Sequence, residues 1–147
     1  MTNQQQVDLL KQESTTLWNT WREKHHNTAI ELNGVDLSEA NLGEINLAEA
    51  DLSQANLREA DLNNANLRKT RLVKADLSRA NLAGADLSDA DLRDANLHKA
   101  YLIDANIAGA DLRGAMLFDT QLNWAMLEGA QVTLEQLRQV KMESDHV

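Results

Sequence analysis

The chain has 147 residues, a formal net charge of −9, and neither cysteine nor proline. This length suits a single domain, and the lack of cysteine excludes a disulfide framework and thiol chemistry. No apolar run reaches the roughly 18 residues that a membrane-spanning helix needs, so we expect no membrane insertion. The first six residues are polar and uncharged, unlike a secretory signal, and we therefore expect a cytoplasmic protein.

Residues 1–29 precede any repeat and are predicted to form an N-terminal tail and a capping helix. Residues 1–6 are expected to be disordered, and a helix is predicted over about residues 4–25. Ser14 lies in a gap of the apolar spacing. The apolar residues that would share one buried helix face are Val7, Leu10, Leu17, Trp18 and Trp21. An amphipathic helix that binds a partner is the alternative interpretation.

Residues 30–134 form a five-residue repeat without insertion. Its central position begins at Leu32 and ends at Val132, which gives 21 units, and the position two residues earlier is Ala in 16 of them. A period of five fits neither a helix nor a flat strand, because leucines at this spacing would spread around a helix. A chain that turns a corner in every unit directs all the leucines toward one axis. The pattern therefore predicts stacked coils around a continuous core.

The other positions of each unit carry mainly Asp, Asn, Ser, Arg, Lys, Glu and Gly, and are expected to face water. An Asp or Asn usually precedes the central leucine. Such a residue is typical of turns, because its side chain can bond nearby backbone groups. One large and one small inward residue per unit can fill a narrow core.

The array resembles the pentapeptide-repeat proteins, as in the run ADLSQANLREADLNNANLRKT, and this resemblance covers 105 of the 147 residues. Its leader resembles that of many bacterial, particularly cyanobacterial, members, as in LWNTWREKHHNTAIELNGVDLSEANL. The resemblance implies an all-β solenoid, a right-handed quadrilateral β-helix with four units per coil and about five coils. An open end would expose leucines and unpaired backbone groups, so we expect a helix to cap each end.

Residues 135–147 are predicted to form a C-terminal capping helix and a tail. Thr133 followed by Gln136 fits a capping box, which predicts a helix over about 134–141. Residues 142–147 are expected to fray. The apolar residues that this helix would place over the last coil are Leu134, Leu137 and Val140.

No pattern in the sequence indicates catalysis or binding of a cofactor or metal. A filled core of leucines offers no pocket for a substrate. His25 and His26 are adjacent, a spacing that does not chelate a metal on a helix face. The carboxylates lie on an outer wall, and nothing in the pattern would desolvate one of them to serve as an acid or base. We therefore expect no catalytic, cofactor-binding or metal-binding residue.

Charge varies along the array. The net charge is −7 over residues 30–66, +4 over 67–85 and −4 over 86–119. Some members of the resembled family mimic DNA in shape and charge and bind DNA gyrase. With Glu128 the array totals −8 over a rod of about 25 Å, which is near half the charge density of duplex DNA, and the basic middle interrupts it. The candidate acidic surface for such mimicry comprises Glu39, Glu44 and Glu49.

Six large apolar residues occupy outward positions that elsewhere hold polar residues. They form a candidate interaction patch of Tyr101, Ile103, Met116, Phe118, Trp124 and Met126. Exposed apolar and aromatic residues of this kind are typical of contact surfaces. The patch is predicted to be covered by the C-terminal tail, by a second copy in a homodimer, or by a foreign protein.

The sequence therefore predicts a non-enzymatic rigid rod that makes protein–protein contacts with an unidentified partner. An acidic DNA mimic that modulates gyrase is the alternative function. An acidic surface that only maintains solubility is also consistent with the charge. Direct binding of nucleic acid is not expected, because the acidic flanks of the basic segment would repel phosphate.

Overall fold

A computed structural model of the chain describes residues 1–12 and 14–141. These residues include three helices, α1 (Asn3–Leu10), α2 (Thr15–Lys24) and α3 (Leu134–Gln139). Between α2 and α3, each five-residue unit repeats the same local pattern of one isolated β-bridge followed by a turn.

The units stack with a register of 20 residues. Parallel bridges join each bridging residue to the residue 20 positions later, from Glu31 with Asp51 to Asp111 with Gln131. A chain that returns over itself after 20 residues has four five-residue sides per turn. We number these sides by their first central leucine, so that face 1 begins at Leu32, face 2 at Leu37, face 3 at Leu42 and face 4 at Leu47.

The Asp or Asn before the central leucine holds the turn, as predicted. Asp61 Oδ1 accepts the backbone N–H of Asn63 at 3.1 Å, and Asp76 Oδ1 accepts that of Ser78 at 2.9 Å. The corner residue that follows lies in the left-handed region, with φ of 54° at Asp119 and 63° at Glu49. This conformation costs a residue with a side chain about 1 kcal/mol, so the turn bonds and the ladder must hold each corner in place.

The central residues form a continuous buried column. From Leu32 to Leu117 each is at most 2% exposed, and alanines pack beside them. Thr70 and Thr120 replace alanine in this inner layer and are 0% exposed. Their hydroxyls donate to Leu47 O at 3.1 Å and to Leu97 O at 2.7 Å, respectively. These bonds avoid the cost of a buried hydroxyl without a partner.

The structure corrects the predicted single N-terminal helix over residues 4–25, which is two helices. The second helix starts at a new cap, because the Ser14 side chain accepts the N–H of Leu17 at 3.3 Å. A side chain that bonds the backbone in this way favours a helix start over a helix interior. The gap in the apolar spacing at Ser14 therefore marks a boundary between helices.

The expectation that residues 1–6 are disordered is wrong, because α1 already begins at Asn3. Thr2 and Gln5 form a capping box, in which the Thr2 N–H donates to Gln5 Oε1 at 2.8 Å. Gln6 is 1% exposed, and its Nε2 donates to Ala29 O at 3.2 Å. The polar residues at this end therefore have structural roles: Thr2 and Gln5 cap α1, and Gln6 makes a buried hydrogen bond.

At the C-terminus, the predicted capping box of Thr133 and Gln136 is present. The predicted extent over 134–141 is too long, because α3 ends at Gln139 and Val140 is extended, with ψ of 139°. Leu134 was expected to cover the last coil but is 75% exposed. The predicted fraying tail, residues 142–147, lies outside the described residues.

Replacement of Leu77 by Ala is expected to lower the free energy of unfolding by about 2–5 kcal/mol, because it opens a cavity in a filled column. Leu77 is 0% exposed. Urea unfolding followed by circular dichroism measures the effect. Leu17→Ala is the matched control, since Leu17 is 52% exposed, and it should change stability by no more than about 0.5 kcal/mol. Equal losses in both variants would contradict the described core.

Candidate protein-interaction surface

The predicted apolar residues lie at the C-terminal end of the array, and most are exposed. Ile103 is half-buried. The exposed fractions of the others are 43% for Tyr101, 45% for Met116, 52% for Phe118, 85% for Trp124 and 54% for Met126. We call these six residues the apolar belt.

The 20-residue register distributes the apolar belt over three faces. Met116 bridges Asn96 on face 2, Tyr101 bridges Gln121 on face 3, and Met126 lies on face 4. Trp124 occupies a corner, with φ of 62°. The structure therefore surrounds the end of the rod with apolar side chains instead of gathering them on one flat side.

Three belt residues occupy positions where the fold favours Asp or Asn. Tyr101, Met116 and Met126 precede a central leucine, and the residues one coil earlier at Met116 and Met126 are Asn96 and Asn106. Those asparagines accept the turn N–H at 3.0 and 3.1 Å. Methionine and tyrosine side chains do not replace that acceptor geometry. The array therefore loses hydrogen bonds at these turns where belt residues stand. Packing within the array does not account for the presence of these apolar residues.

The candidate acidic residues do not share a face. Glu39, Glu44 and Glu49 are corner residues of consecutive units, with φ of 59°, 62° and 63°. Consecutive corners point in different directions around a four-sided rod. The carbonyl of Glu44 also accepts the Asn19 Nδ2 of α2 at 3.0 Å. These carboxylates are therefore spread around the N-terminal end, next to the helices.

Many acidic groups on face 1 are paired with arginine. Arg93 lies 2.7 Å from Asp91, and Arg113 lies 2.6 Å from Asp111. Arg93 also approaches Asp111 at 3.8 Å and so links the two coils. Hydrogen bonds from Arg93 and Arg113 hold the pKa values of Asp91 and Asp111 below the usual range, although desolvation opposes this shift. The acidic surface is thus partly neutralised by neighbours in the ladder.

The basic middle segment is paired in a similar way with acids of adjacent coils. Arg71 lies 3.5 Å from Asp51, one coil earlier, and Arg68 lies 3.8 Å from Asp86. These side chains are largely exposed, so each pair contributes little to stability. Because these arginines lie next to carboxylates of adjacent coils, the surface is less clearly divided into acidic and basic segments than the linear sequence is.

The structure places most of the predicted N-terminal apolar residues against the first coil. Leu10 and Trp18 are in the core cluster, and Val7 and Trp21 are half-buried against it. Leu17 is 52% exposed, so its predicted place in the buried face is wrong. Because α1 and α2 are separate helices, their apolar residues do not lie on one face of a single continuous helix.

The sequence pattern missed two polar residues of α2 that contact the array. Asn19 Oδ1 accepts the Asn46 N–H at 2.8 Å, beside the bond from Trp18 Nε1 to Asn46 O at 2.7 Å. Arg22 is 7% exposed and donates to Ala48 O at 3.2 Å. Burial lowers the pKa of Arg22, and the charge of Glu49 opposes that shift. The spacing of apolar residues, from which the helix was predicted, does not predict the polar contacts of Asn19 and Arg22.

The interior offers little space for a ligand. A cavity along the leucine column near the C-terminal end holds about 10 Å³, close to the minimum for one water molecule. Among residues 1–12 and 14–141, no group of three or more histidines or carboxylates is placed to hold a metal ion. Within the same described residues, no helix combines the length and apolar character required to cross a bilayer.

Asp111→Asn is expected to make thermal stability less sensitive to acid. The folded-state pKa of Asp111 is lowered, so its ionised form stabilises the fold above the unfolded pKa of about 3.9, and that contribution is lost as pH falls through the lower folded value. Melting temperatures between about pH 6 and pH 2 measure the slope. Asp104→Asn, at an exposed corner, is the control. A similar slope in wild type and Asp111→Asn would contradict this role.

Comparison with known proteins identifies the repeat. The sequence profile described as Pentapeptide repeats matches in 8 copies, over residues 30–68, 60–98 and 95–131. A pentapeptide repeat protein from the thylakoid lumen of Arabidopsis thaliana is 30% identical, with a TM-score of 0.63 over 72% of this chain and 70% of that chain. No curated protein sequence matches the chain.

Two solved cyanobacterial pentapeptide repeat proteins are also similar. The protein from Cyanothece is 30% identical, with a TM-score of 0.62 over 79% of this chain and 94% of that chain. The protein from Nostoc is 35% identical, with a TM-score of 0.60 over 78% and 94% of the two chains. These neighbours imply a right-handed quadrilateral β-helix, the fold class predicted from the sequence. The profile match, the solved neighbours and the 20-residue register together show that the chain belongs to the pentapeptide repeat family.

Proposed function

We propose that this protein is a non-enzymatic, rigid rod of about five coils that binds a protein partner through its apolar belt. The observation that carries the proposal is the exposure of Phe118 and Trp124, at 52% and 85%, on an array whose outward positions are otherwise mostly polar. Large aromatic side chains are favoured at protein interfaces. A partner of matching apolar character would remove them from water.

Rigidity follows from the ladder. Each unit between the first and last coils is bonded to the coils before and after it, for example by Leu82 N to Tyr101 O at 2.7 Å and Asn81 N to Ala60 O at 2.9 Å. The central column beneath these bonds is filled. A surface held this firmly loses little conformational entropy when it binds, which favours affinity.

We also propose that the helical segments close the two ends of the rod. At one end, Trp18, Asn19 and Arg22 of α2 bond backbone groups of the first coil on face 4. At the other end, Gln136 of α3 is 8% exposed, and its Nε2 donates to Leu112 O at 2.6 Å and Ala115 O at 3.0 Å. Side chains thus take the place of a missing coil.

DNA mimicry receives no specific support from the geometry. The acidic corner residues diverge, and the arginine pairs on face 1 reduce the local negative field. A duplex presents phosphates in continuous rows, one charge per roughly 1.7 Å of axis.

The cytoplasmic location stays a prediction, since one similar protein comes from the thylakoid lumen.

The double variant Phe118→Asp, Trp124→Asp is expected to keep the circular dichroism spectrum of the wild type and to lose self-association and partner capture. Light scattering measures self-association, and quantitative affinity capture from a lysate measures partner binding. Leu17→Asp is the matched control, because it places a charge at an apolar site with the same 52% exposure as Phe118 but outside the belt. Unfolding of the double variant, or undiminished capture by it, would contradict the proposal.

Addition of the purified protein to a DNA gyrase supercoiling reaction is expected to have no effect, even at tens of micromolar, because its carboxylates do not form a DNA-like row. The assay should use gyrase from the same source as the protein. Inhibition that weakens as DNA is raised would overturn this expectation. Variants at Glu39, Glu44 and Glu49 would then locate the contact.

A further inference from the structure

Face 3 is nearly uncharged. The outward positions of each face are the residues directly before and after its central leucine, and they stack in two columns along the rod. The first column of face 3 contains Asn41, Asp61, Asn81, Tyr101 and Gln121, so it has a single charged residue. The second column contains Gly43, Asn63, Ala83, Ile103 and Asn123, and it has no charged residue. On an acidic protein, such a face is the one least repelled by another acidic surface.

Face 1 shows the contrast. In its coils at Leu92 and Leu112, both outward positions are charged, with an aspartate before the leucine and an arginine after it. The carboxylate on face 3 is bonded within its own face, because Asp61 Oδ1 accepts the Asn63 N–H at 3.1 Å and the Asn81 Nδ2 at 3.3 Å. A surface depleted of charge that carries an exposed aromatic residue is typical of the centre of a protein interface.

Opposite charges lie at the two edges of face 3, at the level of Tyr101. Lys99 is the corner residue that precedes face 3, Asp104 is the corner residue that ends it, and both are exposed. Among residues 1–12 and 14–141, neither side chain forms an ion pair. Within the described part of the chain, these two charges therefore do not hold the array together.

A two-fold axis parallel to the rod makes face 3 complementary to itself. Such an axis keeps each coil at its own height and exchanges left and right across the interface. It therefore places the first column of one copy against the second column of the other. Tyr101 then lies opposite Ile103, so that apolar side chains meet. Two coils below, Asp61 lies opposite Asn63, whose amide can donate to the carboxylate.

The same axis pairs the charges at the edges. It sets Lys99 of each copy against Asp104 of the other, twice in the dimer. An axis across the rod at the level of Tyr101 would instead set Lys99 against Lys99 and Asp104 against Asp104, which repel. At the N-terminal end the parallel axis brings Glu39 toward Glu44, but both are exposed, so water and salt screen them. The charges therefore favour the parallel arrangement.

We propose that face 3 binds a second copy of this chain about a two-fold axis parallel to the rod, with Tyr101 of each copy against Ile103 of the other. This inference rests on the proposed function, since it names the partner that covers part of the apolar belt. Trp124 is the corner residue that ends face 3 in the last coil. The axis brings it to the edge of the second copy that lies next to Phe118.

Sedimentation velocity over a concentration series tests the surface. The wild type is expected to form dimers. Ile103→Arg should raise the dimer dissociation constant at least about tenfold, because it places two like charges in an uncharged contact. The repeat accepts arginine at this position, as at Arg113 on face 1. Val73→Arg is the matched control, since Val73 is a half-buried apolar residue at the same position on face 1, and it should leave dimerisation unchanged.

Tyr101→Asn is a second variant that keeps the test decisive if Ile103→Arg fails to fold. Asparagine occupies this column one coil earlier, at Asn81, and its side chain accepts the turn N–H there at 3.1 Å. The variant should therefore keep the circular dichroism spectrum and weaken the dimer. A wild type that stays monomeric up to its solubility limit would overturn the proposal, whether the C-terminal tail or a foreign protein covers face 3.

Charge reversal tests the axis. Lys99→Glu and Asp104→Lys should each weaken the dimer at least about tenfold at low salt, because each sets like charges opposite one another twice. Corners elsewhere hold the same residue types, as at Glu59 and Lys74. The double variant should regain the dimer, and an equal mixture of the two single variants should form a mixed dimer. Failure of both rescues would overturn the proposal.

Capture from a lysate separates this inference from the proposed function. If the wild type is monomeric and Phe118→Asp, Trp124→Asp abolishes capture, the inference fails and the proposed function stands. If dimers depend on Ile103 and that double variant captures as much as the wild type, the inference stands and the proposed function fails.

Discussion

The whole structure depends on one constraint, that the backbone must return over itself after 20 residues with its hydrogen-bonding groups in register. The bond of Leu82 N to Tyr101 O is repeated along every face of the array. This return requires a corner in every unit, and the corners require left-handed φ values even at lysine and arginine, as at Lys74 and Arg79. Summed over many coils, the ladder and the buried column offset the strain of the corners.

A ladder of this kind is repetitive, but the rod is finite, and its ends need different solutions. At the N-terminal end, side chains of α2 bond backbone groups of the first coil, and buried Arg22 donates to Thr28 O and Ala48 O. At the C-terminal end, Gln136 and Gln139 bond faces 1 and 2. Within the part of the chain that the structure describes, the N–H of Leu122 on face 3 donates to no backbone carbonyl, unlike that of Leu102 one coil earlier. The ends are therefore the parts of the molecule where individual side chains matter most.

The surface shows two kinds of departure from the repeat, and they differ in meaning. Arginines in otherwise acidic columns relieve repulsion between coils, as Arg71 does above Asp51. The apolar belt has no such structural benefit, since Met116 and Met126 replace residues that would hold a turn. A net charge of −9 therefore describes the composition better than it describes the local field, and the proposed function rests on the belt.

Sequence alone determined the coil, the inward positions and the turn role of the Asp or Asn before each leucine, because these features repeat with a local period and follow from local chemistry. The capping box at Thr133 and Gln136 was also predictable, since it involves residues three apart. Tertiary structure decided which helix residues meet the array, including buried Arg22 and exposed Leu17, because that depends on how two short helices lie on the first coil. It also decided that the apolar residues form a belt around three faces, because lateral direction comes from the register of the coils and the corner geometry.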